Sequence, residues 1–94
     1  MSILRIEHPV PDYAIWKAAF DSDPVGRERS GVRRYKVMRP IDDPNYVLID
    51  LEFETVDEAE ALLTAMRVVW ARVAGTVMSN PQARIVDAVE TEES

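Results

Sequence analysis

Apolar and polar positions alternate most strictly between Tyr46 and Glu54. Val47, Ile49, Leu51 and Phe53 fall on one side, and Tyr46, Leu48, Asp50, Glu52 and Glu54 on the other. A period of two with one wholly apolar side is the pattern of a strand that buries one face deeply, which places this segment in the middle of a sheet. Arg33 to Arg39 precedes it across Pro40-Ile41-Asp42-Asp43-Pro44-Asn45 and forms the other arm of a hairpin. That arm mixes Tyr35, Val37 and Met38 with Arg33, Arg34, Lys36 and Arg39. Charge at this density suits an edge strand that must resist unwanted pairing.

The flanks continue the pattern. Ile3 to His8 is a strand with Leu4, Ile6 and His8 on one face and Ile3, Arg5 and Glu7 on the other. Pro9 and Pro11 end it, because neither has an N–H for the ladder. From Pro11 or Asp12 to Phe20, Tyr13, Trp16, Ala19 and Phe20 recur at helical spacing, and Pro and Asp at the start suit a helix N-terminus. Asp21 to Gly26 is turn chemistry, and Arg27 to Gly31 leads into the hairpin. Thr55-Val56-Asp57-Glu58 reads as a capping box. The helix it opens runs from Val56 to about Ala74 on the stripe Ala59, Leu62, Leu63, Met66, Val69, Trp70 and Val73, with Gly75 as its left-handed cap. Thr76 to Pro81 is a connection, Ala83 to Val89 a last strand, and Glu90 to Ser94 a frayed tail.

Strand, helix, strand, strand, helix, strand is the order of an α+β, ferredoxin-like βαββαβ domain: a four-stranded antiparallel sheet with both helices on one face. The other face then carries Arg5, Glu7, Leu48, Asp50 and Glu52, with Tyr46 near its end. That mixture is too apolar for a wet surface and too charged for a monomer core. Two copies packed sheet against sheet would cover it, with crossed charge pairs holding the register.

Ninety-four residues make one domain, 1–94, and such a chain buries only ~60–65% of the surface its unfolded form exposes, so a partner subunit adds much. Having no cysteine, the chain has no disulfide and no thiolate site; the compartment stays open, with a reducing cytoplasm the simplest expectation. No apolar run suggests a signal peptide or a membrane span. A net charge of −6 argues against a general nucleic-acid binder. RNA-recognition domains share the element order, but their third strand carries stacking aromatics where this one is acidic.

Asp12-Tyr13-x-x-Trp16-Lys17-x-x-Phe20-Asp21, then Gly31-Val32, then Asp42-Asp43-Pro44-Asn45 before an apolar strand, then a helix rich in Glu and Ala, together resemble the small dimeric α/β-barrel superfamily. That superfamily includes antibiotic-biosynthesis-type monooxygenases and muconolactone-isomerase-like enzymes. The resemblance spans nearly the whole chain and rests on structural signatures. It implies a homodimer with a central barrel and a cavity in each subunit between sheet and helices. It implies no particular reaction, because such folds host many chemistries, and no catalytic motif carries over residue by residue.

His8 ends its strand on the face that meets the helices, and Trp16, Phe20, Tyr35, Met66 and Trp70 can converge on the same space. An imidazole among aromatic walls can orient or deprotonate a phenol-like molecule. The plainer alternative is a backbone-bonded histidine and core aromatics. Trp70 has an N–H that needs a partner if buried, which makes it the aromatic best placed to touch a ligand. Arg27, Arg29, Arg33 and Arg34 can gather a carboxylate or phosphate, with Arg33 as anion anchor, or form a solvated edge paired with Glu28 and nearby acids. One histidine and scattered carboxylates do not make a metal site, and no cofactor is expected. A haem would need only one axial ligand, which His8 alone could supply. Three readings follow. The chain binds a small, partly aromatic molecule; or it is a cofactor-independent monooxygenase or cyclase/isomerase with His8 as base; or it is a structural dimer filled by its own side chains.

Overall fold

The computed structural model describes residues 1–73, 75, 78–90 and 92. The chain runs β1 (Ser2–Pro9), α1 (Tyr13–Asp21), β2 (Arg34–Met38), β3 (Tyr46–Phe53), α2 (Val56–Val73) and β4 (Gln82–Asp87). The strands form one sheet in the order β2-β3-β1-β4, every neighbouring pair antiparallel. This is the ferredoxin-like βαββαβ architecture, with β1 and β3 central and the charged β2 at an edge.

Register explains the core. Leu4 lies opposite Leu51, Ile6 opposite Ile49 and His8 opposite Val47, so the apolar positions of both central strands share one face. Leu4, Ile6, Val47, Ile49, Leu51 and Phe53 are buried there with Ala59, Leu62 and Trp70 of α2 and Trp16 and Phe20 of α1. Each large aliphatic or aromatic side chain buried this fully contributes roughly 1.5–3 kcal/mol.

Several boundaries differ from the sequence pattern for local reasons. Pro9 belongs to β1, opposite Tyr46; Val10 N–H bonds Asn45 O at 2.8 Å and carries the pairing past the proline, which has nothing to donate. Asp12 is not in the first turn of α1 but caps it, its carboxylate accepting from Ile15 N–H at 3.1 Å. At the start of α2, Glu58 N–H donates to Thr55 Oγ1 at 3.2 Å, but the Glu58 carboxylate takes the Thr55 hydroxyl rather than the backbone N–H. Only half of the reciprocal box forms. The last strand spans Gln82–Asp87, and Val89 lies beyond it, almost fully exposed. Gly75 is left-handed, with φ +81, and its N–H bonds Met78 O at 2.9 Å. Ala74, Thr76, Val77, Thr91, Glu93 and Ser94, to which the sequence pattern assigns a helix end, a connection and a tail, lie outside the described residues.

The face of the sheet away from the helices carries ordered polar pairs. Arg5 grips Asp50 through two bonds of 2.9 and 2.8 Å, Tyr46 donates to Glu7 at 2.8 Å, and Arg34 pairs with Glu52 at 2.9 Å. Arg5 holds the Asp50 carboxyl below the ordinary carboxylate range, and the hydrogen bond to Glu7 raises the Tyr46 phenol. Half-buried Ile3, Leu48 and Val86 lie between these pairs.

Candidate functional site

The alternation of β1 puts His8 on the helix-facing side at the strand's C-terminal end, where it is 1% exposed. Its Nδ1 lies 3.1 Å from Pro9 O. A carbonyl can only accept, so Nδ1 carries the proton and Nε2 keeps its lone pair. Burial lowers the imidazole's pKa, opposed by the bond to Pro9, so the ring is neutral near pH 7. Nε2 has no protein partner among the described residues, yet no buried polar side-chain atom there lacks one. Nε2 therefore reaches open space, and the space that His8 borders is a cavity.

That cavity, about 230 Å³, lies between sheet and helices. His8 and Ile49 form its floor, Trp16, Ala19 and Phe20 come from α1, and Met66, Val69, Trp70 and Val73 from α2. Ser22, Pro24, Val25 and Arg27 of the turn after α1, with Met78, complete it. The lining is mainly apolar. Helical spacing explains the walls: Trp16 and Phe20 stand one turn apart on α1, as do Met66 and Trp70 on α2.

One wall is a continuous run of ring contacts. The His8 ring meets Trp16 edge-on with centroids 5.9 Å apart, and Trp16 stacks on Phe20 at 5.1 Å. The guanidinium of Arg27 lies over Phe20, 3.9 Å from its centroid. Two left-handed residues, Asp23 (φ 53) and Gly26 (φ 64), fold the turn so that Arg27 comes back onto α1. There its Nη1 donates to Phe20 O at 2.7 Å and lies 3.4 Å from Asp23 Oδ1.

Of the residues singled out in the sequence, His8, Trp16, Phe20, Met66 and Trp70 line this cavity; Tyr35 and Arg33 do not. Tyr35 faces the helices from the edge strand but is 46% exposed, and it reaches the site only at second hand, through its edge contact with Phe20 at 5.4 Å and the Arg27 guanidinium 5.1 Å from its ring centroid. Arg33 pairs with Glu54 and borders a separate, polar groove of about 920 Å³, with Arg34 and Glu58. Arg27, assigned from sequence to a basic run, is the arginine that reaches the cavity. The one sequence hint was the turn composition of Asp23-Pro24-Val25-Gly26 just before it, which marks a reversal after α1 but does not say where Arg27 lands. Among the described residues no group of three His, Cys, Asp or Glu could hold a metal ion, and no helix is long and apolar enough to cross a membrane.

No protein-family model matches the sequence, and no curated protein matches it. Solved structures do match its shape. A mutant of SnoaB, a cofactor-independent oxygenase from Streptomyces nogalater, superposes with a TM-score of 0.76 at 15% identity, over 96% of this chain and 94% of that one. A candidate antibiotic biosynthesis monooxygenase from Bordetella bronchiseptica gives 0.70 at 21% identity, over 95% and 98%. A mutant of MhuD with two manganese protoporphyrin IX molecules bound per active site gives 0.71 at 15% identity, over the full length of both chains. The chain thus has the ferredoxin-like fold of the antibiotic biosynthesis monooxygenases. The cavity is smaller than the roughly 300–1,000 Å³ of pockets for drug-sized ligands. A porphyrin would extend beyond this volume, and among the described lining residues His8 is the one imidazole that could serve as its axial ligand.

Proposed function

We propose that the chain binds a small aromatic molecule bearing an acidic hydroxyl, in the cavity between sheet and helices, and does so as a homodimer. The observation that carries this is the neutral His8 with Nε2 unpartnered at the end of an aromatic wall. A hydroxyl donated to Nε2 satisfies that lone pair, while the rings of Trp16 and Phe20 offer flat apolar area. A cavity of 150 Å³ takes a benzene ring, so about 230 Å³ suits one substituted ring or two fused rings. The outer face of the sheet, with Ile3, Leu48 and Val86 set among ion pairs, supports a second copy as its cover.

The test is a tryptophan-fluorescence titration with phenolic and quinone-like compounds, since both tryptophans line the cavity. Saturable quenching is expected, and Val69→Phe, which fills the space, abolishes it while leaving the far-UV spectrum intact. Quenching that survives Val69→Phe refutes the location.

A second reading, cofactor-independent oxygenation, is favoured by the same imidazole and by the likeness to SnoaB. His8 would take the hydroxyl proton and leave an electron-rich anion for O₂. Binding comes first in this proposal because burial weakens His8 as a base, and an imidazole that resists charging accepts a hydrogen bond more readily than it keeps a proton. Oxygen uptake with a bound phenol, lost in His8→Gln with binding retained, would establish the second reading.

A further inference from the structure

The aromatic wall that begins at His8 ends at a cation. Arg27 is the residue common to the apolar cavity and to the polar groove outside it, and the one Lys or Arg among the cavity's described lining residues. Its side chain is only 14% exposed and is fixed at four points: over Phe20, beside the Tyr35 ring, on Phe20 O, and against Asp23. Both polar contacts use Nη1. Nε and Nη2 have no protein partner among the described residues, and neither is a buried orphan, so both reach open space. A forked pair of N–H donors on one edge of a guanidinium matches a carboxylate bidentately.

We propose that Arg27 selects for an anionic substituent, so that the preferred ligands are aryl hydroxy-acids: a hydroxyl at His8, the ring along Trp16 and Phe20, and a carboxylate on the free edge of Arg27. This rests on reading the cavity as a ligand site and names its substrate class. The cation is held in place before the ligand arrives, so little ordering entropy is spent on it. Asp23 opposes the selection. Its carboxylate partly neutralises Arg27 and lies near the same groove, where Glu28 and Glu58 add further negative charge.

The experiment compares two probes of equal ring system, 2-naphthol and 6-hydroxy-2-naphthoate, by isothermal titration calorimetry at pH 7.5 on the wild-type chain, Arg27→Gln and Asp23→Asn. In the wild type the carboxylate is expected to bind roughly tenfold tighter, the worth of a charge-assisted bond to a partly exposed guanidinium. Arg27→Gln brings the two affinities together by weakening the carboxylate alone. Asp23→Asn tolerates the left-handed backbone and keeps an oxygen for Arg27 N–H, bonded at 2.9 Å, while removing the competing charge; it widens the preference. Equal binding of both probes to the wild type overturns the assignment to Arg27 and leaves the cavity reading standing. So does a preference unchanged in both variants. Failure of 2-naphthol and the carboxylate alike to bind the wild type overturns both.

Discussion

Ile49→Ala tests the packing on which the site depends. Ile49 is 1% exposed, lies opposite Ile6 on one side and Val37 on the other, and forms part of the cavity floor. The substitution removes three methylene-sized groups, about 2.4 kcal/mol of transfer free energy at ~0.8 kcal/mol each. A further ~1–2 kcal/mol comes from space that does not close, at about 24 cal/mol per Å³. The neighbours are held in a ladder and cannot collapse inward, so the upper part of the usual 2–5 kcal/mol range applies, about 3–4 kcal/mol. For a domain of this size that lowers Tm by roughly 15–25 °C. Urea denaturation followed by far-UV circular dichroism measures it, with Ile41→Ala, at a fully exposed position, as a control expected within ~0.5 kcal/mol of the wild type. Because the lost volume joins the cavity, 2-naphthol should stabilise the variant at least as much as the wild type. A cost below about 1 kcal/mol would mean that Ile49 is not packed between sheet and helices, and the cavity would lose its floor.

Four other expectations follow from single features. Gly31 has φ +100, and a Cβ there would lie 2.3 Å from Glu58 Oε2, so Gly31→Ala should cost roughly 2–3 kcal/mol from left-handed strain together with the displaced carboxylate, read in the same urea melts. His8 has a lowered pKa, so its unfolded form takes a proton first; stability should be full above about pH 6.5 and fall as the pH drops below it, a slope that His8→Gln removes. The Asp50 carboxyl, lowered by Arg5, adds stability that is present above about pH 4 and lost as the pH falls further, and Asp50→Asn should flatten that lower limb. Leu48→Arg, on the outer face, should convert the proposed dimer to a monomer in sedimentation at micromolar concentration; a wild type already monomeric there would refute the dimer.

How much was legible depends on how local each feature is. The alternation from Tyr46 to Glu54 and from Ile3 to His8 fixes which side of each central strand is buried, and two such strands with two amphipathic helices admit few topologies. His8, Trp16, Phe20, Met66 and Trp70 came to one space for the same reason: each sits on an inward position of a regular element. Tyr35 has the inward parity too, opposite Leu51, but β2 is an edge strand beyond the helices' cover, and parity alone does not reveal lateral position. Arg33 precedes β2, where the alternation no longer governs its direction, and Glu54 claims it. Arg27 was hidden because its place depends on two left-handed residues and on a cation choosing an aromatic face over water, neither of which a charge run discloses.

The composition of the cavity also decides what displaces what. About 230 Å³ corresponds to about eight waters at roughly 30 Å³ each, and each buried water ordinarily makes about three hydrogen bonds. The lining residues bring few polar groups without a protein partner among the described residues: His8 Nε2, Nε and Nη2 of Arg27, and the indole N–H groups of Trp16 and Trp70. Water held there is poorly bonded, and replacing it with an apolar ring is favourable, whereas replacing it at the two polar ends is favourable only if the incoming groups restore those bonds. A plain hydrocarbon would leave His8 Nε2 and the free Arg27 donors without partners, and a small anion without a ring would leave the aromatic wall wet. The proposed aryl hydroxy-acid meets both demands, with an apolar middle, a hydroxyl donor for His8 and an anionic acceptor for Arg27.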